Sequence, residues 1–212
     1  MPMNHWIMDY ETLSNCFVAV FEHYKKNDTK KFIVHDSQND FDEFINFLKS
    51  NIKNKEWHIS YNGLAFDAQI THYILDNYQL WSNMSGCEIA RVIYDYAGKC
   101  ISNSRQGNFQ DYPIWKMKIM PIDIFKMHHW DNPAKMSSLK WIQYSMDWDN
   151  IVDMPIEHTT SIETQEQIDT IMHYCINDVR STKEIFNRSK SQIALRKELT
   201  KTYDINLFSA SE

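Results

Sequence analysis

The sequence has few of the residues and segments that are typical of fibrous, loop-dominated, disulfide-rich or membrane proteins. Only 4 glycines and 5 prolines occur in 212 residues, which argues against a collagen-like or loop-dominated chain. The 4 cysteines are scattered without a Cys-x-x-Cys pair, so reduced thiols are favoured over disulfides or zinc ligands. No apolar run approaches the ~20 residues of a membrane span, and the first residues lack the basic start and apolar middle of a signal peptide. These absences predict an intracellular, cytoplasmic protein with no membrane partner.

Basic residues are also in short supply. The 22 Lys and Arg oppose 28 Asp and Glu, which gives a formal net charge of −6, whereas proteins that bind nucleic acid usually carry a basic surface. Divalent cations held by carboxylates would offset part of this charge. The charge balance therefore neither supports nor excludes a phosphate backbone as partner.

Two acidic residues follow the first apolar run. Residues 5–8 are mostly apolar and predict a buried strand. Because side chains alternate along a strand, Asp9 and Glu11 should share one face while Tyr10 points to the other. Two carboxylates side by side on a core strand repel each other, and burial raises their cost. A bound divalent cation is the simplest compensation, so this strand predicts half of a metal site.

Apolar periodicity predicts an α/β fold. The element order β-β-β-α-β-α-(α)-β-α-α indicates one mixed sheet of about five strands, the first three antiparallel, with helices on both faces. The predicted strands lie near residues 5–8, 16–21, 32–34, 57–61 and 116–125.

We expect a single domain over residues 1–212, because no repeat or convincing linker interrupts them. The least regular part is an insertion at 79–115. A capping box at Ser85 predicts a helix start there, but the polar stretch from Gly98 to Asp111 indicates a loop or an exposed hairpin. Residues 188–212 are expected to be a C-terminal extension.

Two further carboxylates belong to predicted helices. Asp67 lies in or just before the first turn of a helix, where an acidic side chain is favoured. Asp178 lies on the flank of the apolar stripe of the last helix, and Tyr174 lies one turn earlier on the same flank. Asp123, at the end of a strand, is either a fifth acid of the site or a hydrogen-bonding residue, and the second interpretation is favoured.

Four acids from three segments can therefore converge on a pair of divalent cations. Oxygen ligands suit Mg²⁺ or Mn²⁺, and the absence of clustered His and Cys argues against structural zinc. Two such ions can activate a water molecule and clamp a phosphodiester.

These residues resemble the DEDD 3′–5′ exonucleases, which include polymerase proofreading domains and have a ribonuclease H-like fold. The resemblance covers most of residues 5–187 apart from the irregular stretch, and its three motifs occur in the expected order. The motifs are Asp9-x-Glu11-Thr12, Asn62-x3-Phe66-Asp67 and Tyr174-x3-Asp178.

The resemblance implies a role for each residue of the three motifs. Asp9, Glu11 and Asp178 would hold the ion that binds the attacking water, and Asp9 would bridge to a second ion served by Asp67. Tyr174 would orient the water by a hydrogen bond, since a phenol is a poor general base at neutral pH.

The resemblance also places the substrate. Thr12 and Leu13 would contact the terminal nucleotide, and Asn62 and Phe66 the penultimate one. Leu13 and Phe66 are equally interpretable as core residues.

The third motif has an alternative reading. His173 precedes Asp178 at the spacing of the histidine subclass of the same family. On a continuous helix, however, Tyr174 lies beside Asp178 whereas His173 is rotated well away, so the tyrosine subclass is favoured.

The favoured function is removal of nucleoside 5′-monophosphates from the 3′ end of single-stranded DNA. The second motif resembles replicative polymerase versions, and no helical accessory domain of the ribonuclease D type follows. The abrupt ending after Asn206 resembles a cut before a polymerase region, so we expect a proofreading domain of a phage-type polymerase, located in the host cytoplasm. The alternatives are a free-standing RNA or general single-strand exonuclease, and an inactive nuclease-like binding module.

Overall fold

The computed structural model describes residues 5–128 and 138–209, and its centre is one mixed sheet. The sheet has six strands in the order β4-β3-β2-β1-β5-β6. The pairs β1/β2, β2/β3 and β3/β4 are antiparallel, and β1/β5 and β5/β6 are parallel. The strands are β1 (His5–Thr12), β2 (Phe17–His23), β3 (Thr29–His35), β4 (Gln38–Asn39), β5 (Trp57–Ser60) and β6 (Pro121–Asp123).

The prediction of a mixed α/β sheet with three antiparallel strands first is confirmed. The difference is β4, a strand of only two residues that pairs with the end of β3 at the sheet edge. Two residues carry no periodicity, so the sequence pattern cannot indicate such a strand.

Helices cover both faces of the sheet. Among the described residues they are α1 (Phe41–Asn54), α2 (Asp67–Asn77), α3 (Gly86–Gln106), α4 (Ile124–His128), α5 (Leu139–Ser145), α6 (Gln165–Arg188) and α7 (Lys190–Tyr203). None of these helices is long and apolar enough to cross a membrane.

Alternation along β1 divides the core into two clusters. Tyr10 belongs to the cluster that α1, α2 and α3 close over one face. Ile7 belongs to the cluster on the other face, which is closed mainly by α6. Asp9 and Glu11 lie two and four residues after Ile7, so their side chains are on the same face of β1 and are directed toward α6. The predicted alternation of Asp9 and Glu11 with Tyr10 is therefore present.

The irregular insertion predicted at 79–115 contains a long helix. The capping box predicted at Ser85 is present, with the Ser85 hydroxyl accepting from the Glu88 amide. The helix then continues to Gln106, so the prediction of a loop or hairpin from Gly98 is wrong for its first nine residues. The polar residues and Gly98 weaken the helical pattern in the sequence. Buried residues on one side of α3, including the Tyr96 ring stacked 3.9 Å from Tyr73, stabilise the helix by tertiary packing.

The described part of the C-terminal extension folds back onto the sheet. Arg196 of α7 donates to the Met127 carbonyl at 3.0 Å. Phe208 is 3% exposed, and its ring meets Trp57 of β5 edge-on. Residues 188–209 are therefore packed against β5, β6 and α4.

Candidate metal centre and substrate cleft

Two carboxylates lie close together at the end of β1. Asp9 is partly exposed and Glu11 is buried. Their oxygens and the Cys175 sulfur lie within 4.8 Å of one another. The Cys175 sulfur is also 3.4 Å from the Asp9 carbonyl oxygen, to which the thiol donates. Burial raises the pKa of Cys175 well above its ordinary value, so the sulfur is a neutral packing group rather than a ligand for a hard cation.

Helix α6 brings the third motif to this pair. The helix begins with a capping box at Thr164, and its apolar stripe packs on the β1 face that carries Asp9 and Glu11. Asp178 is buried, and the half-buried Tyr174 hydroxyl lies close enough to lower the pKa of its carboxyl. Tyr174 therefore lies at the carboxylates.

His173 points elsewhere. Its side chain is exposed, and Nδ1 lies 2.7 Å from the Asp169 carbonyl one turn earlier in the helix. The geometry thus favours Tyr174 over His173 as the residue beside Asp178.

The fourth carboxylate begins helix α2. Asp67 is 3% exposed, and its Oδ1 has no hydrogen-bond partner among the described residues. The chain turns sharply just before it, and a side chain at Gly63 would place its Cβ 1.8 Å from the Ser60 hydroxyl. Glycine avoids this contact and so favours the close approach that places Asp67 at the end of the sheet.

Asp123 holds the loop in front of Asp67. The fully buried carboxylate accepts the Asn62 amide on Oδ1 at 2.9 Å and the Leu64 amide on Oδ2 at 3.0 Å. Asn62 has a left-handed φ of 61°, which such anchoring stabilises. The preferred interpretation of Asp123 as a hydrogen-bonding residue at a strand end is confirmed.

The four carboxylates repel one another in a poorly solvated site. Burial raises the pKa of Asp9 and of Glu11 well above the ordinary value, and the charges of the other site carboxylates raise both further. Burial, followed by the charge of Asp123, raises the pKa of Asp67 to about 7. Burial also raises the pKa of Asp178. Each of these carboxylates would be ionised more readily with a cation between them.

The donor set fits hard divalent cations. It consists of carboxylate oxygens, and the unpartnered Oδ1 of Asp67 is a buried acceptor without a donor. Mg²⁺ and Mn²⁺ prefer such oxygen ligands, and a bound cation would satisfy the acceptor that no described protein group reaches.

Two residues of helix α5 at this site are missing from the sequence-based prediction. Gln143 is fully buried and donates from Nε2 to Asp178 Oδ1 at 2.9 Å and to the Ser181 hydroxyl at 2.7 Å. Lys140 lies with its Nζ 5.5 Å from the centre of the Tyr174 ring, and its charge lowers the pKa of Glu11. Ser138 caps the start of α5, but no local pattern indicates that α5 reaches the site, because the contact between α5 and α6 is set by tertiary packing.

A cleft of about 390 Å³ is lined in part by residues that neighbour Glu11 and Asp67 in the chain. Thr12, Asn62 and Phe66 line it, as expected for residues that contact a substrate. Leu13 is fully buried in the core beneath β1 and does not line the cleft. The predicted nucleotide contact of Leu13 is therefore replaced by its alternative, a core position, because its side chain packs in the apolar cluster that contains Ile7.

A scan against protein-family models and a search of the curated proteins found no match to this chain. The functional interpretation consequently depends on the residues of the site and their geometry.

Proposed function

We propose that the chain is a metal-dependent 3′–5′ exonuclease of the DEDD tyrosine subclass. Its substrate would be the 3′ end of single-stranded DNA, and its fold would be ribonuclease H-like. The observation that carries the proposal is that carboxylates from three distant segments lie close enough for their charges to raise the pKa of Asp9, with a tyrosine beside them.

Asp9, Glu11 and Asp178 would hold one Mg²⁺ or Mn²⁺ ion, and Asp9 with Asp67 a second. When bound, the ions supply Lewis-acid stabilisation of the phosphodiester and a readily ionised water. Asp178 is oriented by Gln143, which donates to one of its oxygens.

The protein groups around the phosphodiester supply orientation and charge. Tyr174 would donate to or accept from the attacking water; since burial and the Asp178 charge raise the pKa of the phenol, it positions the water rather than taking its proton. Lys140, which pairs with the exposed Asp153 at 2.7 Å, lies close enough for its charge to lower the pKa of Glu11 and of Asp178, and it would offset the charge of the phosphate.

The reaction is hydrolysis at phosphorus. The water oxygen forms a new bond to phosphorus, and the bond to the 3′ oxygen of the preceding nucleotide breaks. The products are a nucleoside 5′-monophosphate and a strand shortened by one nucleotide with a free 3′ hydroxyl. Thr12, Asn62 and Phe66 would hold the last nucleotides in the cleft.

The sheet supports this assignment in a general way, because three antiparallel strands followed by parallel strands, with helices on both faces, are what the family resemblance implies. Within this proposal, residues 1–212 are one proofreading-type domain of a phage-type DNA polymerase.

Digestion of a 5′-labelled single-stranded DNA tests the proposal. With Mg²⁺ or Mn²⁺ we expect a ladder that shortens from the 3′ end, lost in Asp9→Ala and in the presence of a chelator. Tyr174→Phe should slow the ladder, whereas the neighbouring His173→Phe should leave it unchanged, since His173 faces solvent.

An RNA oligonucleotide of the same sequence serves as the comparison, because contacts to the 2′ hydroxyl distinguish the two substrates. Faster digestion of the RNA than of the DNA would identify RNA as the preferred substrate. An oligonucleotide that stays intact under every metal condition would contradict the exonuclease function and would favour the inactive nuclease-like binding module.

A further inference from the structure

One wall of the substrate cleft comes from helix α3. Opposite Thr12 and the 62–66 loop, residues of this helix recur every three or four positions and so form one stripe facing the cleft. The α3 residues that line the cleft are Tyr94, Ala97, Gly98, Ile101, Ser104 and Arg105.

Gly98 leaves space in the middle of this wall. A Cβ added there would meet no atom within 4 Å. Glycine inside a helix costs about 1 kcal/mol relative to alanine, and no close backbone approach requires it at this position. The glycine therefore keeps the cleft open at a cost to the helix.

Two other residues of the stripe are available to a ligand. Ile101 is 42% exposed although it is apolar. Arg105 is exposed at the last turn of α3 and makes no ion pair within residues 5–128 and 138–209. The wall thus combines an apolar surface with an unused cation at one end.

Two residues that line the cleft are neighbours of the carboxylates in the chain. Thr12 follows Glu11 directly, and Phe66 directly precedes Asp67. A ligand with one end at the carboxylates would extend between Phe66 and α3. A volume of about 390 Å³ is within the range of roughly 300–1,000 Å³ typical of small-molecule sites.

We propose that helix α3 holds an unpaired base of the 3′ end against Phe66, with Gly98 providing the room for the base and Arg105 contacting a phosphate. This inference rests on the proposed exonuclease function and adds to it a binding element outside the three motifs. Aromatic and apolar surfaces accept any base, because every base has a π face, while an exposed arginine complements the backbone charge.

Gly98→Leu is the main test, with Ser102→Leu as the matched control on the same helix. Ser102 is exposed and does not line the cleft. Both variants should have a thermal midpoint at least as high as that of the wild type, since leucine is a better helix former than either residue. The measurements are the Kd for single-stranded DNA by fluorescence anisotropy with a chelator, and kcat and KM with Mn²⁺.

We expect Gly98→Leu to raise Kd and KM roughly tenfold, because loss of one base contact has about that effect, with kcat changed less than about threefold. Ser102→Leu should resemble the wild type. Arg105→Gln should flatten the dependence of log Kd on log salt by about 0.7, the contribution of one phosphate contact on a single strand.

Unchanged Kd and KM in a folded Gly98→Leu protein would overturn the role of α3 while leaving the exonuclease intact. An unchanged salt dependence in Arg105→Gln would remove the phosphate contact. A wild-type protein that neither binds nor cleaves DNA would instead contradict the proposed function itself.

Discussion

Replacing Asp67 with asparagine is expected to stabilise the metal-free protein at pH 8 and to weaken its stabilisation by metal. The Asp67 carboxylate is buried, and Oδ1 lacks a hydrogen-bond partner among the described residues. Without a cation, its charge is a cost to the folded state. Asparagine keeps the shape of the side chain but removes this charge.

The size of the effect follows from the pKa of Asp67, which burial and the charge of Asp123 raise from 3.8 to about 7. Between these two values the folded protein holds a proton that the unfolded chain has lost, so stability falls as the pH rises through this window. The full cost, about 4 kcal/mol, is present only above pH 7. The new amide would lie where Oδ1 has no partner, at a cost of about 1–3 kcal/mol. We expect a net gain of roughly 2 kcal/mol at pH 8, or about 4–8 °C in Tm, and almost none at pH 5.

Thermal and urea unfolding at pH 5 and pH 8 in the presence of a chelator measure this gain. Asp76→Asn is the matched control, because Asp76 is exposed on the same helix and pairs with Lys118 at 2.6 Å. It should cost at most about 1 kcal/mol. Added Mn²⁺ at a hundred times its Kd should stabilise the wild type by about 2.7 kcal/mol and the Asp67 variant far less. A lower Tm of Asp67→Asn at pH 8, or the same change at both pH values, would refute the reasoning.

Three further outcomes follow from the same geometry. Lys140→Gln should lower kcat about ten- to a hundredfold without raising the Mn²⁺ concentration needed for half-maximal activity, since loss of a nearby cation does not weaken cation binding; a rise in that concentration would count against a role at the phosphate. Asp123→Ala removes the acceptor of the Asn62 and Leu64 backbone amides and should cost about 2–4 kcal/mol together with most of the activity. An active, fully stable variant would show that the 62–66 loop keeps its conformation without Asp123. His72 accepts two backbone amides on Nε2 and donates from Nδ1 to the Ala68 carbonyl. Burial lowers its pKa below 6.5, so the contribution of His72 to the free energy of unfolding should be complete above pH 6.5 and fall as the pH drops further. His72→Ala should cost about 2–4 kcal/mol at pH 7.5 and less at pH 5.5 by urea unfolding, and an equal cost at both would contradict this assignment.

The parts of the molecule that the sequence predicts well are governed by local periodicity. Alternation in β1 correctly places Asp9 and Glu11 on one face, and the apolar stripe of α6 correctly places Tyr174 beside Asp178. These positions depend on strand and helix geometry alone.

The remaining features depend on contacts that no local pattern contains. Helix α3 continues through Gly98 because its buried side is held by tertiary packing, which outweighs an unfavourable propensity of about 1 kcal/mol. Lys140 and Gln143 reach the site only because α5 packs on α6. The burial of Leu13 likewise depends on its packing in the cluster closed by α6.

Anomalous diffraction at the manganese edge tests the central claim most directly. Crystals grown with Mn²⁺ and a nucleoside 5′-monophosphate should show two peaks, one among Asp9, Glu11 and Asp178 and one between Asp9 and Asp67. The phosphate of the nucleotide should lie against both peaks, and its sugar and base should point into the cleft beside Phe66. Peaks elsewhere on the protein, or none at these carboxylates at millimolar Mn²⁺, would contradict the account.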